Sequence, residues 1–122
     1  MKAGIAATIA LVTALMSGGA MADGNILLAQ CQQFIKGMDL EKDYDRVQAG
    51  MCVGFVEGVL ATSSFYDEEL PKEGKLCTPT TATNGQLVRI VVKYMKDNPA
   101  KLNQGKTGLV WRAIKDAYPC KA

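Results

Sequence analysis

Apolar residues along the chain fall into one unbroken block followed by four periodic stretches, and the two patterns imply different fates. The block is Ile5 to Met16, an uncharged run preceded by Met1-Lys2 and followed by Ser17-Gly18-Gly19 and Ala20-Met21-Ala22. A positive start, an apolar middle and small residues at Ala20 and Ala22 form the layout of a cleavable secretory signal. The expectation is a signal peptide over residues 1–22 and a mature domain over 23–122. The apolar run falls short of the ~20 residues that cross a bilayer core. No later stretch is longer, so no membrane span is expected after cleavage.

The mature part is read as four helices. The first is expected from about Asn25 to Lys36, with Ile26, Leu27, Ala29, Phe34 and Ile35 apolar, Gly37 stopping it, and a charged connection from Asp39 to Asp45. The second is expected from about Arg46 to Phe65, where Met51, Phe55 and Val59 recur every four residues and Val56 with Leu60 widens the stripe. Thr83-x-x-Gln86 fits a capping box that starts the third, whose apolar face is Leu87, Val88, Val91, Val92 and Met95. Asn98-Pro99 ends it, because proline disfavours helical geometry in the residue before it. The last is expected from Gly108 to Tyr118, with Val110, Ala113, Ile114 and Ala117 on one face and Pro119 closing it. The fold class is therefore all-α.

Two features cut across this layout. Gly50, Gly54 and Gly58 lie within the second helix at four-residue spacing, each costing ~1 kcal/mol of helix propensity relative to alanine. Along one side they form a flat groove for the close approach of another helix. Intrachain packing is the first expectation and a dimer seam the second. Between the helix pairs runs Tyr66 to Leu76, a charged loop that includes Asp67, Glu68, Glu69, Pro71 and Lys72. Long ordered loops in compact domains often carry binding. Trp111, the only tryptophan, is expected to pack in the core, with an interface anchor as its second role.

The cysteines bear on the architecture. All four, Cys31, Cys52, Cys77 and Cys120, fall in the mature part, and an even count in a short exported chain reads as disulfides. Cys31 and Cys52 are nearly equidistant from the middle of the first connection, and Cys77 and Cys120 flank the Asn98-Pro99 break symmetrically. Residues equidistant from the turn of an antiparallel hairpin lie side by side, at the separation a disulfide demands. Of the three possible pairings, Cys31–Cys52 and Cys77–Cys120 alone give two simple hairpins, each closed by its own bridge.

Charge and chemistry exclude more than they add. The whole chain carries 14 Lys+Arg and 12 Asp+Glu, so with Lys2 removed the mature domain is close to neutral. It has no basic footprint for nucleic acid. There is no histidine, which removes the usual base of serine and cysteine hydrolases. Cys-x-x-Cys is absent, and the wide cysteine spacing does not suit zinc. The Asp67-Glu68-Glu69 triplet reads as a solvated run rather than an acid–base pair. No catalytic residue, cofactor or metal is expected, and the reading is a binding protein rather than an enzyme.

Gly50-x-Cys52-x-Gly54-Phe55-x-x-Gly58, Cys77-x-Pro79, Thr83-x-x-Gln86-Leu87-Val88, Tyr94-Met95-x-x-Asn98-Pro99 and Ala117-Tyr118-Pro119-Cys120 together resemble the Rap/Tai family, small exported immunity proteins of type VI secretion systems. The resemblance covers roughly residues 31 to 120. It implies an all-helical, disulfide-containing periplasmic protein, commonly a homodimer, that binds and blocks a secreted peptidoglycan-cleaving amidase. The matching residues are framework, so the resemblance transfers no inhibitory residue. On physical grounds Tyr66, Asp67, Glu68, Glu69 and Lys72 are the candidate partner-binding residues. The alternatives are a periplasmic acid-stress chaperone, whose switch would rest on carboxylates because histidine is missing, and a structural helper in an envelope assembly.

Overall fold

The computed structural model describes residues 23–121. The signal peptide expected over 1–22 lies outside the described residues. Four α-helices carry the domain: α1 (Gly24–Met38), α2 (Arg46–Phe65), α3 (Asn84–Asp97) and α4 (Lys106–Ala117), with short 3-10 turns at Lys72–Gly74 and Pro99–Lys101. Among the described residues there is no strand, only an isolated bridge between Asp23 and Gly105. The all-α reading holds.

Local chemistry sets the helix ends. The side chains of Asp23 and Asp45 accept from the backbone N–H groups of Asn25 and Gln48, capping α1 and α2. Thr83 and Gln86 form the reciprocal capping box expected for α3. At its far end the Asn98 side-chain amide donates to the Tyr94 carbonyl, and Pro99 follows. Between α1 and α2 the backbone turns through Leu40, a non-glycine residue at φ 61. Asp39 beside it accepts from Arg89 on α3 at 2.6 Å, and Asp45 N–H donates to Gln33 at 2.9 Å, so both sides of the turn are tied down.

The two hairpins stack on one core. Leu27 and Cys31 from α1, Cys52, Val56 and Val59 from α2, Leu87, Val88, Val91, Val92 and Met95 from α3, and Leu109, Val110, Ala113 and Ile114 from α4 make a single buried cluster. The α3 face is the one its sequence pattern specifies. The α2 face differs. Ala49, Cys52, Val56 and Val59 point inward, while Met51 is half-exposed and Phe55 only partly covered. The i, i+3, i+7, i+10 spacing of the buried set rotates the helix away from the Met51–Phe55–Val59 row. Ala117 also lies outside the core, at the last turn of α4.

Both expected disulfides are present. Cys31–Cys52 joins the facing sides of α1 and α2 with Cα atoms 4.9 Å apart. Cys77–Cys120, at 5.2 Å, joins the segments just outside the α3–α4 pair rather than the helices themselves. A further tie closes the first helix onto the second hairpin. Gly24 N–H donates to the Gln104 carbonyl and Asn25 N–H to the Leu102 carbonyl. A methyl at Gly24 would meet Leu109 and would lie 2.8 Å from the Leu102 carbonyl oxygen, a backbone atom that cannot swing away. Gly24→Ala is expected to cost about 1–3 kcal/mol, read as a lower urea midpoint with an unchanged slope.

Candidate functional groove

The glycines of α2 face outward. A methyl added at Gly50, Gly54 or Gly58 would meet nothing within 4 Å, so among the described residues no helix packs on them and the intrachain expectation is corrected. The physical cause is the rotation of α2: with Ala49, Cys52, Val56 and Val59 turned to the core, the glycine row falls on the free side. Gly54 and Gly58 instead line an open groove of about 750 Å³ between α2 and α4.

The walls of this groove come from sequence-distant segments. Phe55 and Val59 contribute from α2, Thr107, Gly108, Trp111 and Arg112 from α4, and Tyr66, Leu70 and Gly74 from the connection. The Trp111 indole N–H donates to the Gly74 carbonyl at 3.3 Å, pinning the connection to α4. Trp111 is half-buried and outside the core cluster, so it is a groove wall and not the core residue first expected. Of the polar groups in the groove, the Thr62 hydroxyl donates to the Gly58 carbonyl at 2.8 Å, while the Ser63, Tyr66 and Thr107 hydroxyls make no side-chain hydrogen bond within the described residues.

Cations flank the apolar surface. Lys106 Nζ lies 4.5 Å from the centre of the Phe55 ring, and Lys115 Nζ lies 5.2 Å from that of Trp111 while donating to the Lys75 carbonyl. Arg112 donates to Gln104. Among the described residues the ion pairs are Lys75–Asp67, Arg89–Asp39 and Lys93–Asp97, so none of the three α4 cations has a carboxylate partner.

The five residues singled out in the Tyr66–Leu76 loop do not converge. Tyr66 caps α2, stacks edge-on against Phe65 with ring centres 4.9 Å apart, and looks into the groove. Asp67 sits 3.9 Å from Lys75 Nζ beside a smaller recess with Leu60, Leu76 and Thr78. Glu68 and Glu69 project into solvent. Lys72 borders a third depression with Glu73, Lys115 and Asp116. The loop is ordered by its own turns, with Glu69 and Leu70 N–H both donating to the Tyr66 carbonyl and Gly74 N–H to that of Pro71. Sequence reasoning missed Phe55, Leu70, Trp111 and Arg112 as groove residues. The only available signal was the glycine row, which marks where a surface is bare.

Among the described residues no group of three or more His, Cys, Asp or Glu side chains could hold a metal ion, and no helix is long and apolar enough to cross a membrane. Fold and groove together define a small, disulfide-stapled helical module shaped to bind. The family model for Rap1a immunity proteins matches residues 23–120, and the chain belongs to that family. No curated protein and no solved structure matched the chain in comparison.

Proposed function

We propose that this chain is a periplasmic immunity protein that binds and inhibits a secreted peptidoglycan amidase, an effector of a type VI secretion system, and that it does so as a homodimer. The observation that carries the reading is the family match over residues 23–120, which takes in all four helices and both disulfides. The amidase and the dimer follow from the family resemblance in the cysteine, glycine and capping motifs. Two cystines and the signal expected over 1–22 support an oxidising envelope compartment.

A pinned surface suits occlusion of an enzyme cleft. The Tyr66–Leu76 segment is held by short turns, by Trp111 and by Lys115, so little ordering remains to oppose binding. The test is to mix the oxidised mature chain with a purified type VI peptidoglycan amidase effector from the same cell. A stoichiometric complex and loss of peptidoglycan hydrolysis are expected; full hydrolysis in the presence of excess chain would overturn the reading. Within that complex, replacing Asp67, Glu68, Glu69 and Lys72 by alanine is expected to raise Kd about ten- to hundredfold, roughly 1.4–2.7 kcal/mol, by calorimetry. The fold should survive, because the only ion pair removed is the exposed one to Lys75. An unchanged Kd would return the loop to the role of a connector.

A further inference from the structure

We infer that the groove between α2 and α4 is a docking site for an α-helix of a protein partner, one with small residues on its contact face and a carboxylate on the flank toward α4. This rests on the binding reading above but not on the identity of the effector.

Three observations select that occupant. The floor at Gly54 and Gly58 is bare of side chains, with nothing within 4 Å of either added Cβ, and glycines one turn apart let a second helix approach backbone to backbone. From Gly54 to Tyr66 the floor runs roughly 18 Å at the helical rise, room for about three turns of a docked helix. The groove also has few groups to offer a bare backbone: its walls are mostly apolar, the Trp111 N–H and the Thr62 hydroxyl are spent on the Gly74 and Gly58 carbonyls, and three hydroxyls, of Ser63, Tyr66 and Thr107, remain. An extended peptide would leave most of its amides unpaired there, whereas a helix satisfies its own.

Charge then sets the partner's flank. Lys106 lies over the aromatic wall Phe55 and Arg112 lines the groove, and neither has a carboxylate partner among the described residues; Lys115, over Trp111, borders the third depression instead. A Glu or Asp on the incoming helix would meet these cations where the apolar contact excludes water.

The position of the sole tryptophan makes occupancy measurable. The probe is a displayed library of helical peptides of about four turns, selected on the oxidised mature chain and then titrated individually while Trp111 fluorescence is read. Enriched peptides are expected to carry a small-x-x-x-small face and at least one flanking carboxylate, and to shift the Trp111 emission. Glu→Lys in such a peptide, or Gly58→Leu in the protein, should weaken binding about tenfold or more. Gly58→Leu should fold normally, since its side chain enters open space; circular dichroism and Tm check this. Selected peptides without carboxylates, binding indifferent to Gly58→Leu, or emission that does not move would each overturn the inference. So would a change of mass by light scattering on Gly58→Leu alone, which would make a second copy the occupant. Failure to inhibit an amidase, with these peptide results intact, would instead count against the immunity reading only.

Discussion

Dithiothreitol should lower the melting temperature of the mature domain by more than any single substitution on its surface. On the chain-entropy account, the loop of 21 residues closed by Cys31–Cys52 and that of 43 closed by Cys77–Cys120 contribute about 3 and 4 kcal/mol. A domain of this size has only about 5–15 kcal/mol in total, so loss of both bridges removes a large share of its stability. The two bridges are also separable. Cys31 and Cys52 are buried inside the core cluster, whereas Cys77 is exposed and Cys120 partly so. Reduction should therefore proceed in two steps, the outer bridge first. Calorimetry of the oxidised, partly reduced and fully reduced forms checks this; coincident melting curves would show that the bridges carry no stability.

The second large effect is in the core. Ile114 is fully buried on α4 within the shared core, and the same helix presents Trp111 and Arg112 to the groove. Ile114→Ala is expected to cost about 2–5 kcal/mol, the transfer loss plus the cavity left behind. Because α4 also carries the groove wall, the variant should loosen the Trp111–Gly74 hydrogen bond. The expected readout is a lower urea midpoint with Trp111 emission shifted to the red before global unfolding. A loss below about 1 kcal/mol would mean that the site collapses to fill the gap.

The parts of the fold that were legible in the sequence are those where one physical signal stands alone. The Thr83–Gln86 box and the Leu87–Met95 stripe lie on a helix whose other side is polar, so periodicity had one solution. The cystine pairing was legible because equal distances from a turn place two residues side by side. Helix α2 was misread in rotation for the opposite reason. It carries apolar residues on nearly every side, Met51, Val53, Phe55, Val56, Val59 and Leu60 among them, and glycines between them add no polarity to mark the outer face. Only Cys52, tied to Cys31, fixes which side is inward. The groove was not legible, because Phe55, Leu70 and Trp111 meet only after α4 has packed beside α2, and a lone tryptophan reads equally well as core. The loop was seen as a loop, but its division into residues facing three different recesses depends on turns such as Leu70 N–H to the Tyr66 carbonyl.

The placement of the two cystines determines how the molecule would respond to traction. Gripped on either side of the two bridges and stretched, the oxidised chain gains length between Cys31 and Cys120 only from the stretch between Cys52 and Cys77, because force passes from Cys31 straight to Cys52 and from Cys77 straight to Cys120. Helices α3 and α4 hang outside that load line. A translocating protease drawing the chain in from beyond Cys120 would meet the Cys77–Cys120 bridge, and would have to thread a doubled strand or stall.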